Sequence, residues 1–461
     1  MHMDNLKLIK HLYARAAFGL CFSDKKSAEH LSVKREVKEL FKASEPDEPL
    51  AIVQGNVDYM TLATADMLAK KQILQRQHQQ EKDLNLAWMN RMSTTNAQLR
   101  EKMTLFWNNH FACRTNNAFY AQQLNNIQRT YALGNFRDLL LAVSKSPAML
   151  QFLNNQQNHK GHPNENFARE LMELFTVGRG NYTEQDIKES ARAFTGWGFD
   201  KDGEFKIRPF QHDDGEKTFM GKTGNLNGED IINRLLYQKQ TAVFISNKLY
   251  KYLVNEVPDP AHINEMADVF YKSDYEIKPL LEYVFTADWF YDDKNMGNMI
   301  KSPVSFLVGL NRQFYIAYKR PEVLLEFQRA LGQVLFNPPN VAGWPGGRNW
   351  IDSSSLMYRL KIPSMVLDGG LIDFTGKADP EDEAYLAAMR NRQSMVSTKV
   401  QAQADWDKYL QNIPKNLSKA DIAQFMLEPN LSAAIQNAAA KSTDIKTLAI
   451  ELVSTPEYQL C

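Results

Sequence analysis

The chain has 461 residues, and its 54 basic and 54 acidic side chains leave no formal net charge. That balance excludes a general electrostatic grip on nucleic acid or on an anionic membrane, since both need a positive excess. Three scattered cysteines, Cys21, Cys113 and Cys461, build neither a disulfide framework nor a zinc ribbon. No window approaches the ~20 apolar residues of a membrane span. With 44% hydrophobic and 23% charged residues, the composition is that of a soluble folded protein. At roughly 150 residues per domain, the length is about three domains' worth. The start, Met1-His2-Met3-Asp4, carries no apolar signal core, so the expectation is a cytosolic chain or one from which a signal has been removed.

Most of the chain reads as helix. From Asp58 to Arg100 there is no Gly or Pro, and Ala, Leu, Gln, Lys and Met dominate. Asn96 to Trp107 continues with Leu99, Met103 and Phe106 at helical spacing. Asn125 to Leu133 is a further helix, broken by Gly134 and Asn135. Asn164 to Val177 and Thr183 to Phe194 form a helix pair joined by Gly178, Gly180 and Asn181, with Thr183 and Asp186 as a capping box. Between Gly196 and Gly224 glycines cluster, Trp197, Phe199, Phe205 and Ile207 alternate with other residues, and Asp200 to Gly203 predicts a hairpin turn. Helix resumes over Asn227 to Asn255 and His262 to Tyr291. Asn337 to Trp350 is a Pro/Gly-rich ordered loop, 378–400 is a polar linker or exposed helix, and the C-terminal stretch is helical. Ser146-Pro147 and Thr455-Pro456 each predict an N-cap followed by Pro at the first helical position. The expected fold is mainly α, a large helical body with a small β-hairpin insertion near 197–220. It is read as one domain over 1–461, with 1–95, 96–377 and 378–461 as the alternative subdivision.

Several segments together resemble the bacterial family catalogued as domain of unknown function 1800. They include His11 with Arg15, Phe18 and Gly19; Lys102 with Trp107, Asn109, His110 and Phe111; and Pro163 with Glu165, Arg169, Glu170, Glu173 and Phe175. They continue with His212-Asp213-Asp214-Gly215, Lys301-Ser302-Pro303, the Pro338 to Trp350 loop, and Thr455 to Tyr458. The resemblance spans nearly the whole chain, in order. It implies a family of unestablished activity whose members are commonly exported and often encoded beside a second family resembling sulfatases and alkaline phosphatases. An extracytoplasmic location follows as an expectation. Asn108-Asn109 stands where many relatives carry His-Asn, so position 108 offers no imidazole.

Four constellations can carry chemistry. On a helix, Glu165 and Arg169, Asn166 and Glu170, and Arg169 and Glu173 are i,i+4 neighbours, beside an apolar stripe of Phe167, Leu171, Leu174 and Phe175. Such a carboxylate cluster can hold a cation or do acid–base work, because neighbouring carboxylates raise one another's pKa. The bland reading is a set of surface ion pairs or struts. His110, between Trp107 and Phe111, is either a satisfied buried imidazole or a base or ligand. His212 and Asp213 can form a base with its orienting carboxylate, or contribute to a divalent metal site, or simply shape a turn. Trp344 and Trp197 read as stacking platforms or as core plugs, and Arg348 as an anion holder. Cys113 reads as a buried bystander.

Two functional classes follow. One is an extracytoplasmic hydrolase or transferase acting on carbohydrate or another cell-surface polymer. Its catalytic residues would be Glu170, Glu173, His110, His212 and Asp213, and its binding residues Arg169, Glu165, Asn166, Trp197, Trp344 and Arg348. The other is a non-catalytic binding or assembly module whose polar motifs are buried struts. The cofactor, with a divalent metal as the candidate, and the oligomeric state are left open. No nucleic-acid partner and no membrane span are expected.

Overall fold

Apolar residues at three- and four-residue spacing, closed by Ser, Thr, Asn and Asp caps, build a succession of helices in the computed structural model, which describes residues 2–28, 31–56, 65–368, 371–372, 398–427 and 431–461. In chain order these are α1 (His2–Ala16), α2 (Phe22–Ala28), α3 (Val33–Ala43), α4 (Met67–Thr94), α5 (Gln98–His110), α6 (Ala118–Thr130), α7 (Phe136–Lys145) and α8 (Pro147–Phe152). They continue as α9 (Asn166–Glu170), α10 (Glu184–Ala193), α11 (Gly228–Tyr237), α12 (Lys239–Leu253), α13 (Pro260–Lys272), α14 (Ile277–Thr286) and α15 (Pro303–Phe314). The last are α16 (Val323–Leu331), α17 (Ser353–Asp368), α18 (Trp406–Asn412), α19 (Lys419–Met426), α20 (Ala433–Lys441) and α21 (Ile445–Val453). The fold is mainly α, and no helix among the described residues is long and apolar enough to cross a membrane.

The Ser146 cap with Pro147 at the first helical position occurs as predicted, whereas the 3₁₀ turn after Thr455 begins only at Glu457, with Pro456 before it. The Ser146 hydroxyl accepts from Met149 N at the start of α8, and the Thr455 hydroxyl accepts from Tyr458 N. The Thr183–Asp186 capping box opens α10. The glycine-rich excursion holds two hairpins where one is predicted. β1 (Trp197–Phe199) pairs with β2 (Phe205–Ile207) across the Asp200–Gly203 turn, and β3 (Lys217–Phe219) pairs with β4 (Lys222–Gly224). Two-residue pairs also join Ala317–Tyr318 to Ala402–Gln403 and Leu371–Ile372 to Thr398–Lys399. The polar stretch read over 378–400 falls on positions outside the described residues up to 397, and so does the alternative domain boundary at 377.

The uninterrupted helix expected from Asp58 to Trp107 is divided at Thr95, whose backbone is extended. Ser, Thr and Asn side chains offer the backbone rival hydrogen bonds, and the Thr95 hydroxyl takes Ala97 N. The freed carbonyls are collected by Arg312 of α15, whose Nη1 donates to Met92 O, Ser93 O and Thr95 O at 2.9–3.2 Å. A helix end can be terminated by a tertiary cation as well as by a local cap.

The break creates the central element. Helix α5 is buried on every side: Leu99, Met103, Leu105, Phe106 and Trp107 pack the core, and Arg100, Glu101, Lys102, Asn108 and His110 are buried with them. Its charges need internal partners. Glu101 accepts from Arg129 Nε at 2.7 Å and from Nη2 at 3.2 Å, and from Trp88 Nε1 at 2.8 Å. Arg129 also donates to Asn125 and Asn126. Arg100 donates to Arg129 O, Thr130 O and Ser44 O, capping the end of α6. Breaking one partner of such a buried pair strands the other charge. Arg129→Met is expected to lower the unfolding free energy by about 3–5 kcal/mol, with the paired change Glu101→Leu recovering most of it. Urea unfolding measures both, and a single variant within about 1 kcal/mol of wild type would sink this role.

Candidate functional site

The polar residues around 165–184 are gathered by an irregularity in the backbone. Helix α9 runs directly into a π-turn, Leu171–Phe175, whose extra residue per turn is a feature that concentrates at functional sites. Phe167, Leu171, Met172 and Phe175 are buried and fix the turn to the core. The polar side chains remain on the outside. Arg169 donates from both terminal nitrogens to the two oxygens of Glu184, at 3.0 Å each, and to Glu165 at 3.2 Å. Glu173 accepts from the Tyr182 hydroxyl at 2.8 Å and from Arg179 Nε at 2.9 Å.

The two glutamates on this turn are driven apart. The Tyr182 phenol, reinforced by Arg179, holds the Glu173 carboxyl below the usual carboxylate range. Glu170 makes no hydrogen bond or ion pair among the described residues. Partial burial and the negative charge of Glu173 raise its pKa, against the pull of Arg169 and Arg179.

His110 meets the same turn from the core side. Its Nε2 contacts Phe175 O at 3.2 Å and its Nδ1 contacts Lys248 Nζ of α12 at 3.1 Å, while Lys248 also donates to Leu174 O at 2.9 Å. The geometry assigns the proton to Nε2, which donates to the carbonyl, and leaves Nδ1 to accept from the ammonium. The pair caps carbonyls at the end of the π-turn. Burial, and then the Lys248 charge, hold His110 well below its ordinary pKa, so it is neutral. Burial likewise pushes Lys248 down to about 8.

The remaining predicted residues lie in other settings. The Asp213 carboxylate accepts from Arg192 Nε at 2.8 Å and Nη2 at 3.2 Å, which depresses its pKa, and from Gly215 N. His212 places Nδ1 at 2.8 Å from Thr195 O. Buried Lys217 donates to Asp213 O and Gly215 O and so fixes the loop from within. Asn166 donates to Leu153 O. Burial decides between platform and plug for Trp197 and Trp344, and removes both from the binding residues. Trp197 is 1% exposed and packs edge-on against Phe194 and Phe205. Trp344 is 4% exposed, and its backbone N donates to Asn109 Oδ1 at 2.7 Å. Both are plugs. Arg348 is exposed in the 3₁₀ turn Gly347–Trp350. Thus Glu165, Arg169, Glu170 and Glu173 are brought together, and His110 supports them from beneath. His212 and Asp213 form a separate strut with Thr195 and Arg192, and Trp344 belongs to the loop clamped by Asn109. Among the described residues no group of three His, Cys, Asp or Glu side chains is placed to hold a metal ion.

Sequence reasoning missed Lys248, Tyr182 and Arg179. Tyr182 and Arg179 sit within ten residues of Glu173 and were legible as neighbours, but Lys248 arrives from α12 and carried no local signal.

A mainly helical protein with a half-buried polar cluster around a π-turn is the class these features define. The chain belongs to the family described as Protein of unknown function (DUF1800), whose model matches residues 11–460. No curated protein and no solved structure matches it.

Neutral buried histidines tie stability to pH. His11, buried with one ring nitrogen 3.0 Å from Phe290 O, is also held well below its ordinary pKa, mainly by burial. The unfolded chain takes up protons below pH ~6.5 that the folded chain refuses, so stability should fall with acid by up to about 1.4 kcal/mol per pH unit for each histidine. His110→Gln should make that slope shallower by one proton's worth in urea unfolding followed from pH 7 to 5. An unchanged slope would contradict a neutral His110.

Proposed function

We propose that this chain is a hydrolase or transferase acting outside the cytoplasm on a carbohydrate or other cell-surface polymer, with the Glu170–Glu173 pair as its acid–base centre. The observation that carries the reading is the opposite displacement of two half-buried carboxyl groups three residues apart, Glu170 at the end of α9 and Glu173 in the π-turn. Such a pair assigns its own roles. Glu170, unpaired and shifted upward, is the group that keeps a proton to give to a leaving oxygen. Glu173, held ionised by Tyr182 and Arg179, is the carboxylate that draws a proton from water or steadies positive charge as the bond breaks. Arg169 positions the turn through Glu165 and Glu184. The extracytoplasmic placement rests on the family resemblance alone.

The second reading, a non-catalytic module, is favoured by the saturation of Arg169, Arg192, Asp213 and His110 with internal partners. Glu170→Gln separates the two, because it removes the proton-transfer group and leaves the shape. In a screen of cell-wall polysaccharides and phosphosugars, the enzyme reading expects Glu170→Gln to lower turnover by about 10²–10⁴-fold with the fold intact. Wild-type turnover should be bell-shaped in pH, failing on the alkaline side through the raised Glu170 pKa and on the acid side through the depressed Glu173 pKa. Binding without turnover, unchanged by Glu170→Gln, would leave the module reading standing.

A further inference from the structure

Every other buried cation described above has found good partners. Arg129 has Glu101 and two asparagines, Lys248 has His110 and a carbonyl, and Lys217 has two carbonyls. Lys102, on the same central helix α5, does not. Its side chain is buried, with the residue 6% exposed, and its ammonium makes one long hydrogen bond, 3.4 Å to the Ser305 hydroxyl. The rings of Phe18 and Tyr252 lie 5.5 Å from it. The charge at Cys461 acts in its favour but forms no ion pair with it. An ammonium has three protons to give, and a buried charge without counter-charge is costly.

Lys102 faces a cavity of about 160 Å³. Lys10, Lys251 and Lys301 also contribute to its lining, and Cys461 supplies a negative charge there, while no Asp or Glu lines it among the described residues; Lys10 and Lys301 also donate to backbone carbonyls. The lining draws on segments remote in sequence: 10–21, 102–109, 299–313, 346–350 and 458–461. Five of the segments that carry the family resemblance meet here, including Phe18, Asn109, Lys301 and Tyr458. Helix α15 begins at the cavity, with Ser302 as its cap and Ser305 in its first turn. Its first amides are taken by Gln333 and by Ser302, so α15 contributes the field of its positive end and not further hydrogen bonds. Phe18, Leu105, Phe306 and Trp350 supply apolar wall. Lys251 and Gly346 are exposed, which places the mouth beside the end of α12.

We propose that this cavity binds a small organic anion, a carboxylate or phosphate head on an apolar body, with Lys102 as its principal counter-ion. The chemistry follows from the lining. Four lysines against the negative charge at Cys461 leave the lining net positive, which selects negative charge, and the aromatic and aliphatic wall selects an apolar body. A volume of 160 Å³ is close to the ~150 Å³ that houses one benzene ring, so the body is of about that size. Burial pushes Lys102 down to about 8, so it is still charged at neutral pH and is regained as a full ammonium when an anion enters. This site is separate from the Glu170–Glu173 pair and stands or falls without it.

The test is calorimetric titration of the full chain with benzoate, phenyl phosphate, hexanoate and inorganic phosphate, with benzamide as the neutral control. Wild type should bind at least one of the organic anions in the millimolar range or tighter, and benzamide at least about tenfold more weakly. Lys102→Met, a swap of similar length, should weaken the organic anion by about tenfold or more while circular dichroism remains unchanged, and Lys102→Arg should restore part of the affinity. Glu170→Gln should bind as wild type does. Preference between benzoate and phenyl phosphate tells the head group. Binding of inorganic phosphate alone would contradict the apolar body. Equal affinity in wild type and folded Lys102→Met, or no binding of any of the four anions at millimolar concentration, would overturn the proposal.

Discussion

A helix that carries Arg100, Glu101, Lys102, Asn108 and His110, and yet is enclosed on all sides, sets the terms for the rest of this molecule. Water cannot solvate those groups, so neighbouring elements must be placed to do so. Glu101 fixes α4 through Trp88 and α6 through Arg129. Arg100 seals the end of α6, and Asn108 donates to Gln128 of the same helix. At the far end, Asn109 clamps the Pro/Gly-rich loop. Gly343 is required there, because a Cβ would sit 2.3 Å from Asn109 Oδ1. His110, with Lys248, reaches the carbonyls that end the π-turn. Through that contact the core determines how Glu170 and Glu173 are presented outside.

The two polar centres differ in how their electrostatics operate. On the π-turn the charges are half-exposed, and individual ion pairs such as Arg169–Glu165 contribute little to stability. Their effect is on proton affinity: Tyr182 and Arg179 hold the Glu173 carboxyl below the usual range, while partial burial, and then the Glu173 charge, raise the pKa of Glu170. In the interior, the same lack of solvent that makes Arg129–Glu101 a strong constraint makes Lys102 an exposed liability in the energetic sense, since it has no partner of comparable quality. One helix therefore contains both the most satisfied and the least satisfied of the buried charges described above.

Much of the local structure was legible in the sequence. Thr183 with Asp186, Ser146 before Pro147, and the Asp200–Gly203 turn each use chemistry confined to four residues, and each appears as expected. What was not legible depends on partners far away in the chain. Nothing near Thr95 announces that Arg312 will collect its carbonyls, and nothing near His110 announces Lys248. Trp197 and Trp344 beside glycines fit a platform and a plug equally well until the packing decides. Lys102 enters the sequence reading only as the first residue of a family segment. The one available warning is that Lys102 falls between Leu105 and Phe106 on the helical wheel, inside the apolar arc, whereas Arg100, Glu101 and Thr104 share the opposite side and give no sign of their burial.

The central distinction within α5 is between a strut and a weakly partnered charge. Urea unfolding of Lys102→Met in buffer free of organic anions tests it most directly. If Lys102 awaits a ligand, removing its desolvated charge leaves the protein at least as stable as wild type. A loss of about 3–5 kcal/mol, the size expected when one partner of a buried pair is removed, would show that Lys102 is itself a structural strut and would contradict the account.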